Sequence, residues 1–571
     1  MKEPTPNNDE SIAGFIGNFH KSIPHVATGE VDPSSYITFK DICDKVESGL
    51  PLDFTGVPPG TYTGITTAKF TSPLAGAATE SFGPDPKCLE MGPAPGIRSA
   101  STAAEMVELY WMALLRDVPL AEYETRPEVA DAIAEIRQAF TDALAEDNST
   151  GALRLAPNAP ADLPADSAGG LDIRLQTLFR CGLPGEDQGP LISQFFLRDI
   201  PFGVQIISPR QRPYRMGRDY LTNYQDWYLA QHTGKDKHNR DYSNCNFFGD
   251  DPGYYAQPRR YISTLRDLAR FVNRDALHQA YFNAALFLDS IGAPLDPLNP
   301  YESVLTREGG FATLGGPDLL TMVSEVASRA LKVVWRQKWL VHRRCRPEVY
   351  GGLLQMQMEG IPSSSISPKD YELHGIATNS EVADKIKKKF GGYFLPLAYS
   401  AGSPNHPAYG AGHATVAGAC VTILKAWFKE DAFLDELITN RPLKEPEEMH
   451  DMLGEIRGLV QPGEFMSSDP ITGEEHFEKP ADYSGDKLTI GGELNKLASN
   501  VAMGRSMGGV HWRSDNTRSL RLGEQVAIEI LLKRISEYAE PNPAFSFQAF
   551  DGNTVTIDGD GVHGTTRWLN C

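Results

Sequence analysis

The sequence predicts a mainly α protein: a large helical domain, preceded by an irregular N-terminal arm and followed by a small C-terminal β-hairpin. Three observations predict it. Apolar residues recur at three- and four-residue spacing in long segments from Thr102 to Tyr538. The first hundred residues are rich in Pro, Gly, Ser and Thr and show little period. The end, FSFQAFDGNTVTIDGDG, reads as two short strands about an Asp551–Gly552 turn.

Residues 1–100 form the arm, typified by PLDFTGVPPGTYTGITTAKFTSPLAGAA, which wraps either a neighbouring subunit or its own core. Residues 101–540 are the helical core and residues 541–571 the hairpin and tail. In the core, Thr102 and Glu105 have capping-box spacing, with Met106, Leu109, Ala113 and Leu114 behind them. After Pro127, residues Val129, Ile133, Ile136, Phe140 and Leu144 make one apolar stripe. Residues 147–170 are a Pro/Ala/Gly/Asp loop, followed by an aromatic- and Arg-rich passage whose side chains either pack or line a cavity. A helix is predicted over 264–290. The loop after it carries Asp296, Asn299 and Glu302, which are candidate calcium ligands and equally plain turn formers.

From Asp318 a long helix is predicted to run up to Pro347, because the residue before a proline avoids the α region. Its last turns hold Lys338, Arg343, Arg344 and Arg346, cations that complement a helix C-terminus. The stretch SPNHPAYGAGHATVAGACVTILKAWF opens as a turn holding His406 and His413 and becomes a small-residue run suited to a buried helix. Residues 429–490 are an acidic, loop-rich insertion, read as a solvated lid or rim near the site. Next, ELNKLASNVAMGRSMG reads as a helix stopped by Gly508 and Gly509, and a last helix runs from about Ser514 to Tyr538.

Composition narrows the function. A net charge of −20 argues against a nucleic-acid partner or an anionic membrane surface, both of which need a broad basic face. Seven cysteines with no C-x-x-C pair imply neither a disulfide framework nor a zinc site. The start, MKEPTPNNDESIAGF, has no apolar signal region, and the uncharged run from Ala414 to Leu424 is too short to span a bilayer. The expectation is a soluble chain, cytoplasmic by default. Dinucleotide, Walker, zinc-protease and hydrolase-elbow motifs are absent.

What remains is a set of cations and imidazoles. Lys338-x7-Arg346-Pro347, Ala411-Gly412-His413 and Arg505-x5-His511-x3-Asp515 supply three cations, two imidazoles and a carboxylate. A tetrahedral oxyanion suits them: Arg346 and Arg505 can each grip two oxygens, Lys338 adds a compact charge, and Asp515 can fix the tautomer of His511. The helix start within the stretch holding His406 and His413 adds unpaired N–H groups.

In combination and order, these segments resemble the signature of the vanadium-dependent haloperoxidases, whose site is shared with the type 2 phosphatidic acid phosphatase superfamily. The match is densest over residues 331–350, 403–428 and 495–526. The resemblance implies a core of two four-helix bundles and a vanadate cofactor. It also implies hydrogen peroxide, halide and a small organic acceptor as partners, and a large dimer-based homo-oligomer of up to twelve subunits. By the same resemblance His511 is the protein ligand of vanadium, His413 the acid–base group, and Lys338 the residue that polarises peroxide. Arg346, Arg505 and the Gly412 N–H neutralise oxyanion oxygens.

His406 matches a second histidine of the bromide-oxidising algal and cyanobacterial type, which favours bromide and iodide over chloride. One departure stands out: Gly410-Ala411-Gly412-His413 replaces the family's P-S-G-H, so Ala411 lacks a serine hydroxyl, a loss of about 1–3 kcal/mol if nothing replaces it. Two other readings share the same cradle. One is an acid phosphatase in which His511 attacks phosphorus, and the other a non-catalytic oxyanion-binding shell protein.

Overall fold

The computed structural model describes residues 6–7, 9–48, 53–80, 82–147, 162–168, 170–243, 253–363, 372–439, 465–468, 475–478 and 488–564. Its longer helices are α1 (Pro33–Asp44), α2 (Ala100–Leu115), α3 (Pro127–Asp147), α4 (Tyr224–Thr233), α5 (Leu265–Arg274) and α6 (Gln279–Ser290). They continue with α7 (Gly316–Arg336), α8 (Pro347–Met358), α9 (Glu381–Phe390), α10 (Gly412–Trp427), α11 (Ile490–Met507) and α12 (Arg513–Ile535).

Helix α10 is the centre. It is built from small and aliphatic residues on every side, and a helix apolar all round can only sit inside. It packs against α12 most closely and against α7, α11 and α6 around the rest of its circumference. Two glycines set the α10–α12 crossing. A Cβ on Gly418 would lie 1.9 Å from the Leu520 carbonyl oxygen, and one on Gly523 would lie 2.0 Å from that of Thr415. The helices therefore touch main chain to main chain, and apolar burial around them supplies the stabilisation.

The arm covers its own core and contains helix α1, which the lack of period along residues 1–100 hid. Lys21 is buried, pairs with Glu348 at 2.8 Å and donates to the carbonyls of Ala401 and Ser403 at 2.7 Å each. Asn405 donates to Ser22 Oγ at 2.7 Å and the Lys69 carbonyl at 3.0 Å. The arm thus buttresses the turn that precedes α10. Gly402 is required in that turn, since its φ is +69° and a Cβ there would meet Glu348 Oε2 at 2.4 Å.

Several sequence expectations are corrected. Helix α2 is capped by Ser99, which accepts the Thr102 N–H at 3.1 Å, rather than by a Thr102–Glu105 box. Glu105 instead accepts the Ser514 N–H at 2.8 Å and pairs with Arg344 at 3.2 Å. The helix predicted over 264–290 is two helices, interrupted where Asp275 turns extended. The helix predicted to reach Pro347 ends earlier. After Arg336 it widens to a π-helical turn, Gln337–His342, and stops at Arg343, whose φ of 42° and ψ of 38° are left-handed. Arg346 then caps a new helix, α8, with Pro347 at its first position.

The C-terminal hairpin is a three-stranded antiparallel meander, Phe545–Gln548, Thr554–Asp558 and Gly561–His563. Most of the acidic insertion at 429–490, and residues 148–161 of the earlier loop, lie outside the described residues. Asp296 and Asn299 act as turn formers: they accept the N–H groups of Leu298 at 2.8 Å and Tyr301 at 3.0 Å, and Glu302 is exposed. Among the described residues no group of three or more His, Cys, Asp or Glu side chains is arranged to hold a metal ion. No described helix is long and apolar enough to cross a membrane.

Candidate active site

The predicted site residues converge from four elements. The π-helical turn brings Lys338, the N-cap of α8 brings Arg346, the turn into α10 and that helix's first residues bring His406 and His413, and the end of α11 with the junction to α12 brings Arg505 and His511. That junction needs Gly509, whose φ is +84° and whose missing Cβ would otherwise lie 2.7 Å from Leu397 Cδ1.

His511 is buried and held at both ring nitrogens. Its Nδ1 lies 2.9 Å from Asp515 Oδ2, and its Nε2 lies 2.9 Å from the Arg346 guanidinium. Arginine only donates and a carboxylate accepts, so Nδ1 carries the proton and Nε2 presents its lone pair. Burial and the charges of Arg346, Lys338 and Arg505 hold the imidazole well below its usual pKa, so it is neutral. Asp515 also accepts the Trp512 N–H at 3.0 Å and pairs with Arg344 at 2.9 Å.

Arg346 donates to the carbonyls of Val510 at 2.7 Å, His406 at 2.9 Å and Pro407 at 3.1 Å, and to His406 Nδ1 at 2.9 Å. Burial and the neighbouring Arg505 lower its pKa to about 9. Lys338 donates to the Pro407 and Ala408 carbonyls at 2.9 and 3.0 Å, and burial with Arg346 beside it depresses the ammonium well below its normal range. Arg505 donates to the Val272 carbonyl at 2.7 Å and to the Tyr242 hydroxyl, and its Nε is buried with no hydrogen-bond partner. His406 rests against the Trp335 ring, with centroids 4.9 Å apart.

His413 is one-fifth exposed at its side chain, and its Nε2 lies 3.0 Å from Asp275 Oδ1. That leaves Nδ1 to exchange a proton with a bound molecule. Burial lowers its pKa, opposed by Asp275. Ala411 is the N-cap of α10 and has no polar side-chain group to cap it, and its own N–H goes to Ser519 Oγ at 2.8 Å.

Sequence reasoning missed Asp275, Tyr242 and the use of Arg344. The continuous apolar spacing across 264–290 hid the break that turns Asp275 toward His413. Arg344, read as a dipole-complementing cation, is buried between Glu105 and Asp515.

Comparisons with known proteins bear on the sequence and the overall fold. Residues 374–540 match the family model of a VCPO second helical-bundle domain. The chain is 33% identical to a vanadium-dependent bromoperoxidase of Corallina pilulifera, with 97% of this chain and 92% of the relative covered. The chain belongs to the vanadium-dependent haloperoxidase family. A bromoperoxidase of Ascophyllum nodosum is 29% identical over 97% of this chain and 88% of its own length. The homohexameric structure of the second vanadate-dependent bromoperoxidase of that alga superposes with a TM-score of 0.75 at 28% identity, covering 98% of this chain and 89% of that one.

A haloperoxidase of this family requires vanadate, and the donor set fits it. Lys338, Arg346 and Arg505 are buried together, and among the described residues none of them forms an ion pair with a carboxylate. Asp515 is taken up by His511 and Arg344, and Asp275 by His413. Buried charge left in that condition is costly until an anion neutralises it, and the orphaned Arg505 Nε needs an acceptor.

Proposed function

We propose that the cluster around His511 holds vanadate, and that the enzyme oxidises bromide and iodide with hydrogen peroxide to a hypohalous-acid equivalent that halogenates small organic acceptors. The observation that carries this reading is the His511 Nε2 lone pair, directed at Arg346 within a buried cation cluster and backed by Asp515 on Nδ1. When bound, vanadate supplies Lewis-acid activation of peroxide without changing its oxidation state.

The chain's own residues do the rest. His511 donates its Nε2 lone pair while Asp515 keeps the proton on Nδ1. Lys338, Arg346, Arg505 and the Gly412 N–H offset the oxyanion charge, and Lys338 polarises the peroxide. His413, neutral because burial lowers its pKa, accepts a peroxide proton at Nδ1, and Asp275 on Nε2–H stabilises the resulting imidazolium. His406, against Trp335 and Arg346, borders the site and tunes halide preference. The homohexameric relative supports assembly as a homo-oligomer, measurable by sedimentation.

The test is a halogenation assay on protein stripped of metal and reloaded with vanadate, run with chloride, bromide and iodide. Vanadate-dependent bromination and iodination, inhibited by phosphate, are expected. Phosphate-ester hydrolysis without halogenation would overturn the reading.

A further inference from the structure

Beside Asp275 lies a cavity of about 610 Å³ that the reaction above leaves unused. Six arginines line it, Arg198, Arg210, Arg212, Arg259, Arg270 and Arg274, against a single carboxylate among its described lining residues, that of Asp275. In a chain of net charge −20, this is a sharp local reversal of sign.

The guanidiniums are positioned by aromatic faces. Arg210 lies 4.7 Å from the Tyr261 ring centroid, Arg212 4.8 Å from that of Tyr255, and Arg270 5.2 Å from that of Tyr214. The Nε of Arg270 is buried with no hydrogen-bond partner. Phe195, Phe196, Phe271 and Ile262 supply an apolar part of the wall. The volume suits a small organic molecule and is far larger than a halide needs. A basic wall joined to an apolar one matches an amphipathic anion, its charge on the arginines and its ring on the phenylalanines.

We propose that this cavity binds an anionic aromatic molecule, such as an aryl carboxylate, as the organic acceptor of the haloperoxidase. That use of the bound molecule rests on the function proposed above, whereas the binding itself does not. Asp275 belongs to both sites, since it lines the cavity and contacts His413 at 3.0 Å. An acceptor held here waits beside the group that handles the peroxide proton.

Binding is measured on the full-length protein without peroxide, titrated with naphthalene-2-carboxylate and with its uncharged carboxamide. Saturable one-site binding of the carboxylate is expected, at least about tenfold tighter than the amide, the scale of one charge-assisted contact. Arg270→Gln and the more conservative choice, exposed Arg259→Gln, should each weaken it about tenfold. Arg126→Gln, which removes a surface cation paired with Glu122 outside the cavity, should leave it unchanged. Equal affinity for the amide, absence of saturation, or equal weakening by Arg126→Gln would overturn the proposal. Carboxylate binding by a protein that fails the bromination assay would remove the haloperoxidase reading and leave the cavity's anion binding standing.

Discussion

Asp515 divides its carboxylate between a neutral imidazole and a cation: one oxygen lies 2.9 Å from His511 Nδ1 and the other 2.9 Å from the Arg344 guanidinium. The first contact sets the tautomer that leaves His511 Nε2 unprotonated. The second ties that orientation to Glu105 of α2, on the far side of Arg344. Asp515→Asn is expected to weaken vanadate binding by about 10–100-fold, the usual scale for a group that orients a metal-ligating histidine. Titrating vanadate into the metal-free variant and following recovered bromination measures it. Unchanged affinity would mean that packing alone orients the ring.

Asp275→Asn tests the other dyad. It should leave the vanadate dissociation constant close to that of the wild type and lower kcat, as should His413→Gln, because both belong to the proposed proton-transfer dyad. His511→Ala should abolish vanadate binding itself. A Tyr242→Phe control, which removes a hydroxyl from Arg505, should affect vanadate affinity more than kcat. Reversal of these patterns would exchange the roles of the two histidines.

Ala411 stands at the N-cap of α10 with extended φ and ψ of −83° and 118° and no side-chain oxygen to offer. Ala411→Ser should stabilise the fold by about 0.5–2 kcal/mol if the hydroxyl caps the helix. If it faces the oxyanion instead, vanadate affinity rises while the melting temperature of the metal-free protein stays put. Thermal melts with and without vanadate separate the two.

The unneutralised cations predict a large ligand effect on stability. Vanadate at about 100 times its dissociation constant should stabilise the protein by about 2.7 kcal/mol, and phosphate should act in the same direction. Arg505→Gln should reduce the shift, as read by differential scanning fluorimetry. A protein whose melting temperature ignores both anions would not contain an oxyanion cradle.

Acid sensitivity follows from buried histidines outside the cation cluster. Burial pushes His20 down to about 4 and His342 to about 3. Unfolded imidazoles, with pKa near 6.5, take up protons that the folded ones refuse. Stability is therefore full above pH 6.5 and declines as pH falls through the window from 6.5 toward 4 and 3. Chemical unfolding at pH 7.5 and pH 5 should show the loss, and His342→Phe should flatten the slope. A pH-independent midpoint would contradict the buried neutral state.

The helical class, the buried run after Gly412 and the clustering of Lys338, Arg346, His413, Arg505 and His511 were legible because each left a mark of period, spacing or residue type. Breaks inside helices were not. Asp275 interrupts an apolar pattern without a Gly or Pro, and Arg343 ends a helix in a conformation that arginine seldom adopts. Helix α1 was hidden by a Pro- and Ser-rich surrounding, although Asp32 caps it and Pro33 starts it. The partners of Arg344 are more than 160 residues distant in either direction, and no local signal encodes such pairing.

The main-chain contact between α10 and α12 has a mechanical consequence. Side chains hop between rotamers, but peptide groups pressed together at Gly418 and Gly523 have no such freedom. His413 in the first turn of α10, and Asp515 in the first turn of α12 with His511 just before it, are therefore mounted on a stiff joint. Retuning the spacing between His413 and His511 would require bending a helix rather than moving a side chain.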